Sequence, residues 1–394
     1  MSAKWKNVTV RQLCKMNQSS YTSKDHWEYI NYLDTGSITR NVIEGYEHID
    51  LTKVKLPSRA KRKVAVGDII YSTVRPNLCH YGMLGEIPAN CLVSTGFAVI
   101  KANEAEVNPR FLYYYLTLPE IVESLHSIGE QGQATYPAIN PSDIEDLEIS
   151  IPERNVQNKI VAVLSDYDAA IANCRKQIAL LEEAAMRLYR EWFGDGKGAK
   201  DFLWNVCRYA RGVSYTSKEI ASPDGMPLIT LKNIERFGGF REDRSKTFSG
   251  VCRDDSRVVA NGVLMAVTDM TKERRLVGHV ALVPDSYMEA AFSMDLIHLT
   301  GLRVPDLFLY AMLRYSGIAE NLASHASGAN VIHLKPSSLD SVKVAVPDNV
   351  MINNYLELFE PMVAWKNRLL KQVRFLTEAR DRLLPKLMKG EIEV

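Results

Sequence analysis

Two patterns of hydrophobic and polar positions organise this chain, one of period two and one close to 3.5. The period-two pattern stands in Ile149-Ser150-Ile151-Pro152 and again in Val344-Ala345-Val346-Pro347. Each predicts a half-buried strand stopped by a proline, which has no N–H to offer a neighbouring strand. After each proline the pattern turns helical, from about Arg154 to Phe193 and from about Val350 to Leu384. In the first stretch Tyr167, Ile171, Cys174, Ile178, Leu181, Ala185, Leu188 and Trp192 recur at 4-3-4-3-4-3-4 spacing, a heptad stripe. The second repeats it with Met362, Leu369, Leu376 and Leu383, seven apart, thickened by Trp365, Val373 and Ala379. Each stretch is expected to break once. Ser165 suits an N-cap with Asp168 three residues on, and Pro361 suits a first helical position. A lone amphipathic helix often just covers its own domain. Two long helices with matching seams predict antiparallel pairing instead, through Ile171, Ile178, Leu181, Leu188, Leu369, Leu376 and Leu383.

The strand and helix patterns recur because the chain is written twice. Ser20-Tyr21-Thr22-Ser23-Lys24 returns unchanged as Ser214-Tyr215-Thr216-Ser217-Lys218, 194 residues later. Gly67-Asp68-Ile69-Ile70 answers Asn261-Gly262-Val263-Leu264 at the same offset, and Asn108-Pro109-Arg110-Phe111 answers Val304-Pro305-Asp306-Leu307 at 196. Ile139-Asn140-Pro141-Ser142 matches Leu334-Lys335-Pro336-Ser337 at 195. Trp5 and Trp204 each stand near the start of a half. Matches in one order at nearly constant offset mark a tandem duplication. The division this gives is 1–152, 153–198, 199–348 and 349–394. The run Gly194-Asp195-Gly196-Lys197-Gly198 reads as a hinge between the repeats; no Gly-Lys-Ser/Thr follows, so it is not a phosphate loop.

Composition narrows the chemistry. At 394 residues, with 46% hydrophobic content, the chain has room for two or three domains. No apolar run reaches 18 residues, and no basic start leads into an apolar core, so a soluble cytoplasmic protein without a membrane partner is expected. Six scattered cysteines contain no C-x-x-C and predict free thiols, neither a zinc site nor a disulfide framework. Net charge is +1, and the four segments carry −2, 0, +1 and +2. Any nucleic-acid contact must therefore rest on local patches or on partner proteins. No adenine-methylation motif, phosphate loop or His-Glu-x-x-His is present; Pro284-Asp285 is followed by Glu289-Ala290-Ala291, which breaks a nuclease pattern. The histidines, His80, His279, His325 and His333 among them, lack metal spacing. No catalytic residue, metal or cofactor is implied.

Globular half, heptad helix, globular half, heptad helix: this arrangement resembles the DNA specificity subunit of type I restriction-modification systems. Its most specific parts are Ile151-Pro152-Glu153-Arg154-Asn155-Val156-Gln157-Asn158-Lys159-Ile160, Gln177-Ile178-Ala179-Leu180-Leu181-Glu182 and the ending Leu383-Leu384-Pro385-Lys386-Leu387-Met388-Lys389-Gly390. Gly67-Asp68-Ile69-Ile70-Tyr71-Ser72 with Arg75-Pro76-Asn77 looks like one type of target recognition domain, and Thr268-Asp269-Met270-Thr271 like another. One departure stands out: the post-proline motif keeps Gln157 in the first half and has Ile352 in the second. The resemblance implies an α+β fold. Two tandem α/β target recognition domains would be separated by two long antiparallel coiled-coil helices in a pseudo-two-fold repeat. It implies a non-catalytic subunit that reads an asymmetric, bipartite site on double-stranded DNA. Two methyltransferase subunits would dock on the helices, with restriction subunits joining through the complex. A specificity subunit serving a single-polypeptide cutting-and-methylating enzyme, or a coiled-coil scaffold, would share the repeat. Helices of about 24 to 28 residues would span about 36–42 Å and act as a ruler between half-sites.

Candidate DNA contacts follow from exposed-type cations, amides and aromatic rings in segments that differ between halves. The run from Lys53 to Lys63 has six cations and no acid; Lys61, Arg62 and Lys63 are its densest part. Such a run suits phosphates or simply water. Arg75, Asn77, His80 and Tyr81 share one loop with side chains able to reach base edges, and Gln131, Gln133 and Tyr136 share another. Their counterparts are Lys232, Asn233, Arg236, Arg241, Thr271, Lys272, Arg274, Arg275 and Asn330. The repeated Tyr21, Thr22 and Lys24, with Tyr215, Thr216 and Lys218, suit either phosphate contacts or a shared turn cap.

Overall fold

The two proline-stopped strands form where the alternation places them, and each closes a globular half on its own first strand. In the computed structural model, which describes residues 5–132, 136–220, 224–242, 245–270, 274–328 and 331–394, Glu148–Ile151 pairs antiparallel with Lys6–Thr9. Ile149 and Ile151 point into the core. Lys343–Val346 pairs likewise with Ala199–Phe202 and buries Val344 and Val346. Contact clustering divides the chain into two compact units: residues up to Ala170 with Leu376–Val394, and Ile171–Phe375.

In the first unit, Cys14–Met16, Phe97–Ala102, Ile69–Ser72 and Tyr81–Met83 form an antiparallel four-stranded sheet. A second sheet has the order Glu47–Asp50, Tyr29–Leu33, Cys91–Ser94 and Ala60–Lys63, with its middle pair parallel. The alternation in Phe97–Ala102 sends Phe97 and Val99 to a small core shared with Leu33 and Val93 of the second sheet. Ala98 and Ile100 face the larger core of Phe111, Leu112 and Leu125. Both faces of the strand are covered, so its sequence reads as a continuous apolar run.

The second unit repeats this order. Cys207–Arg211, Leu296–Gly301, Val263–Ala266 and Val280–Leu282 form one sheet; Lys246–Phe248, Met226–Ile229, Ala290–Phe292 and Arg257–Val258 form the other, again with a parallel middle pair. Val263 and Met265 face the large core, while Leu264 and Ala266 face the smaller one. Burying a side chain the size of Val263, Leu264 or Met265 contributes about 1.5–3 kcal/mol.

Each helical segment is one unbroken helix, Arg154–Phe193 and Asn349–Met388, of 40 residues each. The expected breaks do not occur. Ser165 lies in the helix interior and its hydroxyl donates back to the carbonyl of Val161 at 2.6 Å, so it caps nothing. Pro361 is exposed, where water can serve the carbonyl left without its i+4 partner. Within each unit the helix portions run antiparallel. In the first, Lys159 reaches the carbonyl of Val394 at 3.1 Å and Asp168 meets Arg380 at 2.7 Å. In the second, Glu182 meets Lys366, while the rings of Tyr189 and Phe193 lie 6.0 and 5.2 Å from that of Tyr355.

Of the seam residues, Ile171 and Leu369 are buried; Ile178, Leu181, Leu188, Leu376 and Leu383 are half-buried. Leu188 packs on the body of its globular unit, and Leu383 on that of the other. Trp365, expected to thicken the second seam, is 54% exposed, and Ala379 is exposed as well. Lys366 turns inward in place of Trp365, because Glu182 draws it there. The glycine run after the first helix also has a packing role. A Cβ on Gly198 would stand 2.4 Å from the Val346 carbonyl oxygen, so only glycine lets the chain pass that strand.

Candidate nucleic-acid interface

The repeated pentapeptide builds one turn twice. The backbone N–H and hydroxyl of Thr22 donate to Asp25 Oδ2 at 2.6 and 3.2 Å. Thr216 donates in the same way to Glu219 Oε2, at 2.7 Å for both. These bonds hold both carboxyls below the ordinary range, that of Asp25 with Lys63 as the leading cause. The motif forms the same turn in both halves: Thr22 and Thr216 serve it, and Lys24 and Lys218 stay exposed. Tyr21 lies 5.1 Å from Trp27, and the Lys63 ammonium sits over Trp27 at 5.2 Å. In the second half the Lys246 ammonium lies over Tyr215 at 5.7 Å.

Those contacts sort the basic run. Lys61 is exposed on its strand, Arg62 is half-buried with its pKa lowered by burial, and Lys63 is paired with Asp25. Lys63 therefore braces the turn. Lys53 pairs with Asp50 at 2.8 Å on the surface. Lys55 and Arg59 remain exposed with Lys61.

The loop after Ile69–Ser72 is held under strain. Arg75 and Cys79 adopt left-handed backbone angles, φ 48° and 56°, on either side of a short 3-10 turn, Pro76–Leu78. Neither is glycine, and such residues cost about 1–3 kcal/mol when held there. The Arg75 N–H donates to Pro137 at 2.8 Å, and its guanidinium covers the Tyr136 ring at 5.7 Å. Arg75, Asn77 and Tyr136 are exposed together. Gln131 is exposed just past the helix Pro119–Glu130, and Gln133 lies outside the described residues. A Cβ on Gly129 would stand 3.0 Å from the Ala138 nitrogen, so the close approach here is to the chain's own backbone. One expectation fails in this loop. Tyr81 is only 7% exposed and packs 5.4 Å from Tyr71, because its place on a strand of the first sheet turns it into the core. His80 is half-buried, and its Nδ1 bonds the Ile38 carbonyl oxygen at 2.6 Å.

In the second half Lys232 and Arg236 are exposed, and Arg241 and Arg275 are half-buried. Asn233 is a further correction: it is fully buried. Its Oδ1 accepts from the Thr230 N–H at 2.9 Å, and its amide donates to the Arg241 carbonyl and Ser245 Oγ. It is the internal tie of a loop, not a base reader. Arg274, at φ 52°, points its guanidinium to the Ala323 and Ser324 carbonyls at 3.0 and 3.3 Å, neutralising the end of helix Ile318–His325. Thr271, Lys272 and Asn330 lie outside the described residues. Phe237 and Met270 are 56% and 74% exposed, and Leu78 is exposed too, although residue type alone does not mark any of them for nucleic acid. Lone apolar residues in polar segments were the available signal.

The post-proline departure also has a physical reading. Gln157 is buried; its Oε1 accepts from the Asn108 N–H at 2.9 Å and its Nε2 donates to the Pro152 carbonyl at 2.8 Å. At the equivalent place Ile352 is buried in the large aromatic core beside Tyr355 and Phe308. Among the described residues no group of three or more His, Cys, Asp or Glu is placed to hold a metal, and no helix is long and apolar enough to cross a membrane.

Two globular units of matching sheet order, each carrying strained loops with exposed cations, are the frame on which the likeness to known proteins falls. The family model for the type I restriction modification DNA specificity domain matches residues 2–183. The type I restriction enzyme HindI specificity subunit of Haemophilus influenzae is 23% identical, over 98% of this chain and 99% of the relative. The type I restriction enzyme MjaIX specificity subunit of Methanocaldococcus jannaschii is 24% identical, over 76% of this chain and 72% of the relative. The crystal structure of the S subunit of a type I restriction-modification system from M. genitalium shares the fold. Its TM-score is 0.52 at 16% identity, covering 98% of this chain and 96% of that one. Residues 2–183 thus match the type I restriction modification DNA specificity domain, and the chain is similar over most of its length to type I restriction enzyme specificity subunits.

Proposed function

We propose that this chain is the DNA-reading, non-catalytic subunit of a cytoplasmic type I restriction-modification complex. Each globular half reads one part of an asymmetric, bipartite duplex target. The two long helices form a coiled-coil spacer that relates the halves as a pseudo-two-fold repeat. Two methyltransferase subunits dock on the helical segments, and restriction subunits join through them.

The observation that carries this reading is the repeat itself: one strand order used twice, with loops of different chemistry on each copy. The first presents Arg75, Asn77 and Tyr136; the second presents Lys232 and Arg236 beside Phe237. Like scaffolds with unlike loops suit a target whose two parts differ. The test is to express the chain with its modification subunits and sequence the methylated DNA. Two short unlike motifs separated by unread base pairs are expected. The purified chain alone, given the adenosyl methyl donor, should transfer no methyl group. Methylation by the chain alone, or a palindromic single motif from the complex, overturns the reading.

A further inference from the structure

Phe237 is held where an aromatic residue is costly to keep. Its φ is +62°, in the left-handed region that a bulky side chain avoids. Gly238 and Gly239 follow at +93° and +112°, so three successive residues take left-handed backbone. The turn is closed by the Glu235 N–H donating to Gly239 at 3.0 Å and the Gly238 N–H donating to Glu235 at 2.9 Å. It is tied outward by the Phe237 N–H, which donates to the Arg275 carbonyl at 2.7 Å. A Cβ on Gly238 would stand 2.8 Å from the Val280 carbonyl oxygen, so the turn cannot be relieved by moving the side chain one place along.

With all this fixing, the ring gains little burial. One edge meets the buried His279 at 5.7 Å and 86°, and 56% of the residue stays exposed. Strain maintained for an exposed apolar group points from structure to function. The surroundings name the partner. Arg236 is exposed at the preceding position, Lys232 is exposed on the same loop, and the half-buried Arg275 supplies the carbonyl that anchors Phe237. Exposed cations on the loop that carries an exposed apolar ring suit nucleic acid, with cations on phosphates and the ring on a base edge.

Resting on the DNA-reading function above, we propose that Phe237 is a specificity-determining residue of the second half-site, whose ring contacts the 5-methyl group of a thymine in the major groove. That methyl is the apolar group a major groove offers.

The test uses the chain assembled with its modification subunits. Each thymine of the second half-site, once the target is known, is replaced in turn by deoxyuridine, which lacks only the methyl group. Wild-type complex should lose about fourfold in methylation efficiency at one position, the loss expected for one methyl-sized apolar contact. Phe237→Gly, which relieves the left-handed strain, should show no such sensitivity and should keep full discrimination in the first half-site. A wild-type complex insensitive to every such replacement overturns the assignment, and that scan needs no variant to fold. Equal sensitivity in Phe237→Gly overturns it too. A complex that methylates no bipartite target would instead refute the underlying reading.

Discussion

Asp168 accepts a hydrogen bond from Arg380 Nη1 at 2.7 Å, and its second carboxylate oxygen accepts from Tyr114 Oη at the same distance. One side chain on the first long helix thereby fastens both the second helix and the globular body of the first unit. Burial acts to lower the Arg380 pKa, but its bonds to Asp168 and Asp381 leave it above the ordinary value. Both members of the Asp168–Arg380 pair are about a fifth to a quarter exposed, so removing one leaves a charge only partly served by water. Arg380→Ala is expected to cost about 2–3 kcal/mol in denaturant unfolding. Adding Asp168→Leu should recover part of that loss, since the stranded charge goes with it.

The pair Glu182–Lys366 predicts a pH dependence. Burial pushes the Glu182 carboxyl up, yet Lys366 and Arg314 outweigh it, and the net shift is downward. A carboxyl with a depressed folded-state pKa contributes stability above its unfolded value, about 4.3, and that contribution is lost as pH falls through the depressed value. The difference in unfolding free energy between wild type and Glu182→Gln should therefore be largest near neutrality. It should shrink between about pH 5 and pH 3, as read from urea unfolding at each pH.

If the pentapeptide is a turn cap in both halves, its threonines are equivalent. Thr22→Ala and Thr216→Ala should each destabilise by about 1 kcal/mol, the usual cost of losing a side-chain cap. Assembled with partners, both should leave the DNA motif unchanged. A change of target from either would give the motif a reading role instead.

Arg75 and Tyr136 should act together on one half-site. Arg75→Ala is expected to cost about 1–3 kcal/mol in affinity or discrimination at the first half-site alone, if a base contact is lost. Tyr136→Phe keeps the ring beneath the guanidinium and should be near neutral, whereas Tyr136→Ala should resemble Arg75→Ala. Methylation of target variants by the assembled complex measures both.

The sequence exposed the duplication, the closing strands and the antiparallel helices because periodicity and repeat register survive in single residues such as Ile149, Val344 and Ile171. It did not expose the continuity of the helices. Ser165 and Pro361 carry the local signature of a helix start, and only packing along the whole 40 residues overrides it. The site was less legible. Lys63, Arg274 and Asn233 have the chemistry of DNA contacts, but Asp25, the helix end at Ser324 and the backbone of Thr230 engage them first. Those partners are distant in sequence or set by turn geometry, so residue type alone cannot separate a reader from a brace. Backbone angles at Arg75 and Phe237 are likewise invisible until the loop is built.

The pairing of Lys6–Thr9 with Glu148–Ile151 means that the first globular half is entered and left at adjacent points, about 5 Å apart across one ladder. Ala199–Phe202 with Lys343–Val346 does the same for the second. A half built this way is a cassette. Cut at those two strands, it can be exchanged for another of the same closure without rerouting the chain, whatever its loops contain. The loops of either half can then change in length or sequence while the points where the chain enters and leaves stay fixed.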